Sequence, residues 1–356
     1  VENIVQRDLY ITPAYIEDSA KTILTLSNLL DLPYELLEKN FSRGAKKAKK
    51  FDSFPLVKAL NEEQIAKAKV NLDSISGIEV KATLKRYVLH EEILAHILGY
   101  VGDISSDEIR RDKLLAELQN TQIGKTGIEK EFDFTLRGKP GIQTQERDVK
   151  GKLVRVLENQ GAEDGKDIYL TIDQELQGHL FKLFENRKGA LVALEPKTGL
   201  VRALISSPSF NPNILNSIVD TNEVESLFSN EESPIFNRAV SGQYPPASTL
   251  KPFVGLAAIE NEVITWNKKI IDDGKFYVEG DSRPYRGWKE NGHGRVDMRK
   301  AIAESSDVYF YTIAYDLTLS GIRPMLDSFG FGKKTGLTNF EANGLLPDKK
   351  WKLGYK

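Results

Sequence analysis

The 356-residue sequence contains no cysteine, which excludes disulfide bonds and thiolate metal sites. Its formal net charge is only −2, so no global positive field favours nucleic acid, and we expect no nucleic-acid partner. No run of about 18 apolar residues is present, the length that a membrane-spanning helix requires. No signal peptide is recognisable either. What remains is a chain of globular composition, 40% hydrophobic and 28% charged, whose length predicts two domains.

A serine and a lysine, Ser248 and Lys251, stand at the start of an apolar stretch. The stretch predicts a buried helix, and this helix begins at or near Ser248 because Pro245 and Pro246 cannot continue it backwards. The i,i+3 spacing puts both side chains on one face of the first turn. Pro252 fits there because the N–H groups of a first turn have no intrahelical partner.

This pairing is suited to acyl transfer. A serine hydroxyl becomes an effective nucleophile when a base removes its proton, and a lysine can be that base if burial leaves its amine neutral. The positive end of a helix also favours a developing oxyanion. The same spacing fits an N-capping serine followed by an exposed lysine, so the pair alone leaves both interpretations open.

The sequence around this pair, Tyr-Pro-Pro-Ala-Ser-Thr-Leu-Lys-Pro at residues 244–252, resembles the active-site motif of class B penicillin-binding proteins. These are the serine transpeptidases of bacterial cell walls, and the motif is similar to that of their elongation-specific members. The family usually has glycine before the serine, where this chain has Ala247. The resemblance implies that Ser248 is the catalytic nucleophile and that Lys251 is its base.

A second motif follows at Ser305-Ser306-Asp307. By itself it fits a polar turn between two helices. It also resembles the Ser-x-Asp motif of the elongation-specific members. The resemblance implies that Ser305 passes a proton between Lys251 and the leaving or attacking amine. Asp307 would hold the substrate backbone or the charge of Lys251, so Ser248, Ser305 and Asp307 are the predicted substrate contacts.

The third motif of the family, Lys-Ser/Thr-Gly on a strand that edges the cleft, has no convincing match. Lys-Thr-Gly triplets begin at Lys125, Lys197 and Lys334. The first two precede the nucleophile, and the third follows Ser305 too closely and lacks a valine-rich strand before it. We therefore expect the true triplet, with an oxyanion donor and the residues that grip the substrate carboxylate, to lie beyond Lys356.

The resemblance implies an α+β fold with two parts. A non-catalytic, dimerisation-type pedestal precedes a penicillin-binding/transpeptidase α/β domain similar to serine β-lactamases. The polar, glycine-containing stretch at 160–165 suggests the boundary. We predict a pedestal at residues 1–160 and a transpeptidase domain at 161–356 that is C-terminally incomplete in this chain.

Local patterns predict the elements that flank this boundary. Helical spacing over residues 15–37 is interrupted at Pro33 and predicts two helices. Strands are predicted at 80–88, at 144–158 around a turn at 150–152, and at 167–173. Asp173 is a suitable N-cap for a helix over 174–184, and a hairpin follows around 196–199.

We predict no metal and no cofactor. Some relatives in the family carry a zinc site near the second motif, with acidic, histidine and cysteine ligands. Asp272 and His293 are possible remnants of such a site, but the chain has no cysteine and no convincing set of four ligands.

The leading functional hypothesis is a peptidoglycan D,D-transpeptidase of cell elongation that works through an acyl-enzyme on Ser248. Its expected ligands are D-Ala-D-Ala stem peptides and β-lactams. The alternatives are a D,D-carboxypeptidase or β-lactamase, or a scaffold whose pedestal docks partners. The resemblance implies the partners MreC and a RodA-type glycosyltransferase. It also implies a periplasmic catalytic domain held at the inner membrane by a single N-terminal anchor that this chain does not include.

Overall fold

The structure is a computed structural model, and its described residues form two compact units, Val1–Ala239 and Val240–Lys356. Both units contain helices together with antiparallel strand pairs, which confirms the predicted α+β class. The residues that the structure describes are 1–46, 48, 51–71, 74–111, 115, 122–148, 153–184, 187–216 and 221–354.

The first unit opens on a three-stranded antiparallel sheet of order β2-β1-β3. The strands are β1 (Glu2–Ile11), β2 (Phe54–Val57) and β3 (Ile78–Tyr87), and β3 confirms the strand predicted at 80–88. Helices α1 (Ser19–Leu30), α2 (Tyr34–Ala45) and α3 (Glu62–Asn71) supply the apolar side chains that the sheet buries. The fully or almost fully buried residues of this core include Leu9, Ile11, Ile23, Leu26, Leu30, Leu37, Leu56 and Ala68.

The break between α1 and α2 lies where the sequence predicts it. Asp18 caps α1 by accepting a hydrogen bond from the Lys21 N–H at 3.0 Å. The helix ends at Asp31, whose φ of 55° is left-handed, and Pro33 then precedes the first residue of α2. The prediction of two helices separated at Pro33 is therefore confirmed.

The remainder of the first unit consists of short helices and two-stranded ladders. The helices are α4 (Glu91–Leu98), α5 (Ser106–Arg111), α6 (Gly127–Glu131), α7 (Asp133–Arg137), α8 (Gln174–Phe184), α9 (Pro212–Asn216) and α10 (Thr221–Ser229), with α11 (Arg238–Ser241) spanning the division between the units. The strands are β4 (Val101–Asp103), β5 (Gln122–Gly124), β6 (Ile142–Arg147), β7 (Leu153–Gln160), β8 (Gly189–Leu194) and β9 (Val201–Ser207).

Most of the patterns after residue 140 predict these elements correctly. The hairpins β6–β7 and β8–β9 are antiparallel, while the turn predicted at 150–152 lies outside the described residues. Asp173 caps α8 through a 3.0 Å hydrogen bond from the Leu176 N–H. The strand predicted at 167–173 is wrong, because this segment forms no ladder. It runs beside β9 with isolated bonds, such as the Asp173 N–H to the Arg202 carbonyl at 2.8 Å.

The structural division at residues 239/240 differs in position from the predicted domain boundary at 160/161. Tertiary contacts explain why residues after 160 belong to the first unit. The side chain of Gln177 is buried on α8, and its amide donates 2.9 Å hydrogen bonds to the carbonyls of Ile93 and Leu204. These bonds join α8 to both α4 and β9. The boundary at 160/161 stays a prediction about domains, since a compact unit need not coincide with one.

The second unit is built around two packed helices. They are α12 (Lys251–Glu260) and α14 (Asp307–Ser328), joined in sequence by strands β10 (Ile270–Asp272), β11 (Lys275–Phe276), β12 (Tyr285–Arg286), β13 (Gly294–Val296) and helix α13 (Met298–Ala303). Helix α14 is kinked at Thr318, and α15 (Lys349–Gly354) follows near the end. The core between these helices contains Val254, Ala257, Ala258, Met298, Tyr309, Phe310 and Ile313.

Gly255 allows α12 to lie close to α13 and α14. A Cβ at this position would stand 2.9 Å from the Met298 sulfur and 3.6 Å from the Phe310 ring. The close approach fixes the first turn of α12 against the first turn of α14. Lys251 and Asp307 are the opening residues of these two turns.

Candidate active site

The predicted nucleophile lies on a tight turn at the start of α12. Residues Ala247–Leu250 form one turn of 3-10 helix that leads directly into α12 at Lys251. This confirms the predicted helix start and the tolerance of Pro252 in the first turn. Ser248 is exposed and is not a cap residue, because Pro246 and Leu250 hold those positions. The N-capping interpretation of Ser248 is therefore wrong.

Ala247 has a φ of 49°, in the left-handed region that glycine occupies without steric cost. This observation gives a physical reason for the glycine that the family usually has before the serine. An L-residue there costs roughly 1–2 kcal/mol, so Ala247 keeps the turn at the expense of stability.

The second motif stands on the turn that joins α13 to α14. Ser305 has a φ of 53°, and its N–H donates to the Ile302 carbonyl at 3.3 Å. The Ser306 N–H donates to the Ala301 carbonyl at 2.9 Å. This is a Schellman helix ending, in which glycine usually takes the left-handed position that Ser305 occupies here. Its strained backbone aims the Ser305 hydroxyl at Ser248.

Hydrogen bonds join the two motifs into one cluster. The Lys251 Nζ donates to the Ser305 Oγ at 3.0 Å and to the Ser305 carbonyl at 2.8 Å, and it forms an ion pair with the Asp307 Oδ1 at 2.6 Å. The Ser305 Oγ in turn donates to the Ser248 Oγ at 3.0 Å. The structure thus brings together all four predicted site residues, although their catalytic roles stay predictions.

The order of these contacts adds detail that the sequence did not predict. Among the described residues no hydrogen bond joins Lys251 directly to Ser248, and the connection runs through the Ser305 hydroxyl. Lys251 is largely buried, with 13% of its side chain exposed, and its Nζ lies 5.7 Å from the Phe310 ring centroid. One intervening hydroxyl therefore links Ser248 to the amine, and transfer of a proton from Ser248 to Lys251 along this path requires the neutral amine and both hydrogen bonds reversed.

Sequence analysis missed Trp288, which contacts both ends of the second motif. Its backbone N–H donates to the Asp307 Oδ2 at 3.0 Å. Its indole Nε1–H lies 3.3 Å from the Glu304 carbonyl and 3.2 Å from the Ser305 carbonyl. No sequence signal pointed to it, because an exposed tryptophan in a polar stretch has no spacing that links it to a motif 17 residues later.

A buried polar cluster lies on the other side of the same turn. The Asp272 Oδ2 accepts hydrogen bonds from the Ser306 Oγ at 2.6 Å and from the His293 Nδ1–H at 2.7 Å. Its Oδ1 accepts the Gly274 N–H at 2.9 Å. Burial raises the pKa of the Asp272 carboxyl, but these hydrogen bonds and the nearby histidine outweigh burial and hold the pKa below its usual value.

This cluster fits hydrogen bonding better than a zinc ion. The direct bond between the His293 Nδ1 and the Asp272 Oδ2 uses one possible ligand atom of each side chain. The second imidazole nitrogen of His293 is buried without a partner, and the nearest carboxylate oxygen, on Glu304, is 4.0 Å away. Within the described ranges, no three His, Cys, Asp or Glu side chains form a metal-binding group. We derive no metal-dependent step, and the absence of a metal stays a prediction.

The three Lys-Thr-Gly triplets have other environments. Lys125 follows β5 in the first unit and pairs with Glu108 at 2.6 Å, and Lys197 lies in the turn between β8 and β9. Lys334 lies in a loop of the second unit, where its Nζ donates to the Asn339 carbonyl at 2.9 Å. That the family's third motif is absent from this chain stays a prediction from sequence.

Two protein-family models match the chain. The penicillin-binding protein dimerisation domain matches residues 1–170, and the penicillin-binding protein transpeptidase domain matches residues 189–356. The second match contains all four residues of the hydrogen-bonded cluster.

Similar curated proteins carry the name peptidoglycan D,D-transpeptidase MrdA. The protein from Haemophilus influenzae is 36% identical over 356 residues, which are 99% of this chain and 54% of that protein. The protein from Escherichia coli K12 is 34% identical over 345 residues, which are 96% of this chain and 54% of that protein. The chain thus spans about half the length of the curated relatives that it matches.

Solved structures give the same result. A complex of penicillin-binding protein 2 with MreC from Helicobacter pylori is 28% identical with a TM-score of 0.85, covering 99% of this chain and 66% of that one. Penicillin-binding protein 2 from Pseudomonas aeruginosa, in complex with WCK 5153, is 33% identical with a TM-score of 0.64. That match covers 76% of this chain and 56% of the other.

Proposed function

Because the chain belongs to the penicillin-binding proteins with a dimerisation and a transpeptidase domain, we propose that it is the Ser248-bearing part of a peptidoglycan D,D-transpeptidase of cell elongation. The observation that carries this proposal is the unbroken hydrogen-bonded path from Ser248 through Ser305 to Lys251. A serine at a helix start, with a basic amine one hydroxyl away, is arranged for acyl transfer.

In the first step the Ser248 Oγ attacks the carbonyl carbon of the penultimate D-alanine of a stem peptide. Lys251 acts in this step as the neutral amine. The Ser248 proton passes to the Ser305 hydroxyl, while Ser305 passes its own proton to that amine, which becomes the ammonium that pairs with Asp307. The carbon–nitrogen bond then breaks, and the terminal D-alanine leaves with a proton returned along the same path. The product is an ester between Ser248 and the shortened peptide.

In the second step an amine from a neighbouring strand attacks this ester. The amine loses its proton through Ser305 to Lys251, the ester bond breaks, and Ser248 recovers its proton. The new amide is the cross-link. A β-lactam follows the first step only, since its opened ring stays attached to Ser248 as a slowly hydrolysed ester.

Asp307 has a positioning part in this mechanism. Its two oxygens bind different partners, the Lys251 amine at 2.6 Å and the Trp288 backbone N–H at 3.0 Å. This arrangement fixes the lysine beside Ser305. It favours the role in which Asp307 stabilises the positive charge of Lys251 over the role in which Asp307 holds the substrate backbone. Substrate contacts by Ser248, Ser305 and Asp307 remain part of the proposal.

The first unit is proposed to dock partner proteins. Its support is the solved complex of penicillin-binding protein 2 with MreC from Helicobacter pylori, whose likeness to this chain extends over the pedestal region. A RodA-type glycosyltransferase, a periplasmic location and an N-terminal anchor to the inner membrane rest on the family resemblance. Among the described residues no helix is long and apolar enough to cross a membrane.

The test is the intact mass of the natural full-length protein after incubation with benzylpenicillin. We expect a persistent adduct of one penicillin per chain, lost in Ser248→Ala and kept in Ser328→Ala. Ser328 is an exposed serine of α14 whose hydroxyl donates to the Met325 carbonyl at 2.7 Å, so it serves as a matched control.

The outcomes separate the alternatives. A transient adduct with rapid release of hydrolysed penicillin would favour a β-lactamase, and release of D-alanine without cross-linking would favour a carboxypeptidase. The absence of any adduct would contradict the proposed enzyme activity and would favour the alternative of a partner-docking scaffold.

A further inference from the structure

The turn that carries Ser305 has two backbone carbonyls that the helix ending does not satisfy. Helix α13 ends at Ala303, and the Schellman bonds use the carbonyls of Ile302 and Ala301. The carbonyls of Glu304 and Ser305 lie beyond them, and carbonyls at a helix end need donors from outside the helix. The Ser305 carbonyl receives one donor from Lys251 at 2.8 Å.

The indole of Trp288 donates to both of these carbonyls. Its Nε1–H lies 3.3 Å from the oxygen of Glu304 and 3.2 Å from that of Ser305. The backbone of Trp288 is fixed independently by its N–H bond to the Asp307 Oδ2 at 3.0 Å. One residue therefore holds the turn at Ser305 from one side and the first residue of α14 from the other.

This support matters because the turn is strained. Ser305 has a φ of 53°, a conformation that is unfavourable for an L-residue and persists only where the surroundings enforce it. The same dihedral angle sets the direction of the Ser305 side chain. If the turn relaxed, the Ser305 Oγ would move away from its 3.0 Å contacts with Ser248 and Lys251.

We propose that Trp288 is a positioning residue of the acyl-transfer site, and that its indole N–H holds Ser305 in the left-handed conformation needed for proton transfer. The inference rests on the proposed function, and it deepens that function by adding a residue outside the two sequence motifs. Trp288 acts through Ser305 and does not itself carry the proton.

Burial in the hydrophobic core does not explain why a tryptophan stands at position 288. The side chain is 67% exposed, and its ring meets one aromatic neighbour, His293, edge to face at a centroid distance of 5.4 Å. An exposed tryptophan could instead be a platform on which substrate stacks. The two roles differ in kinetics, because a stacking platform affects the dissociation constant of the ligand, whereas a positioning residue affects the rate of the acylation step.

The experiment is Trp288→Phe in the natural full-length protein, with the kinetics of acylation by benzylpenicillin resolved into a dissociation constant and an acylation rate constant. Phenylalanine keeps an aromatic ring and removes only the donor. We expect the acylation rate constant to fall about tenfold to a hundredfold, the range that misplacement of a reacting group by about 1 Å produces. The dissociation constant should stay within about twofold.

Trp266→Phe is the matched control. Trp266 is 53% exposed in the same unit, and among the described residues nothing accepts a hydrogen bond from its indole. This variant should acylate at the wild-type rate. Trp288→His keeps a ring N–H donor and should recover part of the lost rate. It also serves as the second variant if Trp288→Phe loses its thermal unfolding transition.

Two results would overturn the inference while leaving the proposed function in place. One is a wild-type acylation rate constant in Trp288→Phe. The other is a change confined to the dissociation constant, which would make Trp288 a substrate contact. A wild-type protein that forms no penicillin adduct would instead contradict the proposed function, and the inference with it.

Discussion

Two polar clusters lie on opposite sides of one turn, and they use almost the same chemical groups. The reactive cluster, named for its proposed role, contains Ser248, Lys251, Ser305 and Asp307, and the buried cluster contains Asp272, His293 and Ser306. Ser305 and Ser306 are consecutive residues, yet Ser305 is partly exposed and Ser306 has no exposed surface. The backbone conformation of the turn sends one hydroxyl towards Ser248 and the next into the interior.

The clusters differ in how completely their hydrogen bonds are made. Ser306 donates to Asp272 at 2.6 Å and also caps α14 by accepting the Tyr309 N–H at 3.2 Å. Ser248 is exposed, and within the described part of the chain its hydroxyl receives one hydrogen bond, from Ser305. The buried bonds of Ser306 and Asp272 stabilise the fold, whereas an exposed group with unused hydrogen-bonding capacity can meet a substrate. The comparison predicts that mutations in the two clusters affect different measurements.

The largest effect is expected for Lys251→Met, which removes the amine from the reactive cluster and keeps an apolar stem. We expect the second-order acylation rate with benzylpenicillin to fall about 10³-fold, within the range attributed to general base catalysis. The unfolding transition should persist. The matched control is Lys333→Met, because Lys333 is also ion-paired, to Asp327 at 3.0 Å, but lies on the surface. Acylation of Lys251→Met within tenfold of wild type would remove Lys251 from the mechanism.

A second prediction concerns His96, which is as buried as His293 but, among the described residues, has no carboxylate partner. His96 packs edge to face on Phe210 at a centroid distance of 5.3 Å, and its Nε2 lies 3.4 Å from the Pro208 carbonyl. Burial is the main cause that lowers the pKa of His96 from 6.5 to about 4. The folded state therefore resists protonation while the unfolded state accepts it.

The sign of the effect follows from this difference. Stability is fully present above pH 6.5 and is lost as the pH falls towards 4, by about 3 kcal/mol at the lower limit. Urea unfolding of the protein, followed in the first unit at several pH values in this window, measures the slope of the free energy of unfolding against pH. His96→Gln should flatten the slope, and His179→Gln, at an exposed histidine of α8, should leave it unchanged. Equal slopes in all three proteins would show that His96 does not titrate with unfolding.

The third prediction concerns Ser306→Ala in the buried cluster. The variant loses a helix cap and leaves Asp272 with one donor fewer, which together cost about 1–3 kcal/mol. Urea unfolding should show this loss, with Ser328→Ala as the exposed control. Acylation of the folded protein should stay within a few-fold of wild type. A stable Ser306→Ala protein that fails to acylate would show that the two clusters are not separate in function.

The smallest effect is expected for Ala247→Gly beside the nucleophile. Glycine relieves the left-handed strain at a φ of 49° but has more conformational freedom to lose on folding. The net gain should be a few tenths to about 1 kcal/mol, measured by thermal unfolding. Ala303→Gly, within helix α13, should instead lose about 0.5–1 kcal/mol. Destabilisation by Ala247→Gly would show that the turn is not strained at this residue.

The sequence predicts the reactive cluster well because its residues stand in short motifs at a helix start. Pro245 and Pro246 exclude a helix before Ser248, and the apolar residues after Lys251 continue it, so local rules fix the geometry. The left-handed conformation of Ser305 was not predictable, since a serine there violates the usual preference for glycine. Trp288 was missed for a related reason, because it acts by meeting backbone carbonyls that carry no sequence signature.

The failure at residues 167–173 has a different cause. The alternating pattern of this segment is that of a strand, but strands need a partner along most of their length, and here only isolated bonds reach β9. The prediction that Asp173 caps a helix depended only on residues within one turn, and it is confirmed. Local signals were thus sufficient for caps and helix starts, and insufficient where pairing with a distant segment decides the structure.

The alternation of Ser305, Ser306 and Asp307 between the cleft and the interior has a consequence for the evolution of this turn. Residue type can vary there, as the serine in a glycine position illustrates, but length cannot. Insertion or deletion of a single residue would exchange the inward and outward positions, burying the hydroxyl that contacts Ser248 and exposing the one that caps α14. We therefore expect natural variation in this segment to consist of substitutions, with gaps confined to the loops on either side.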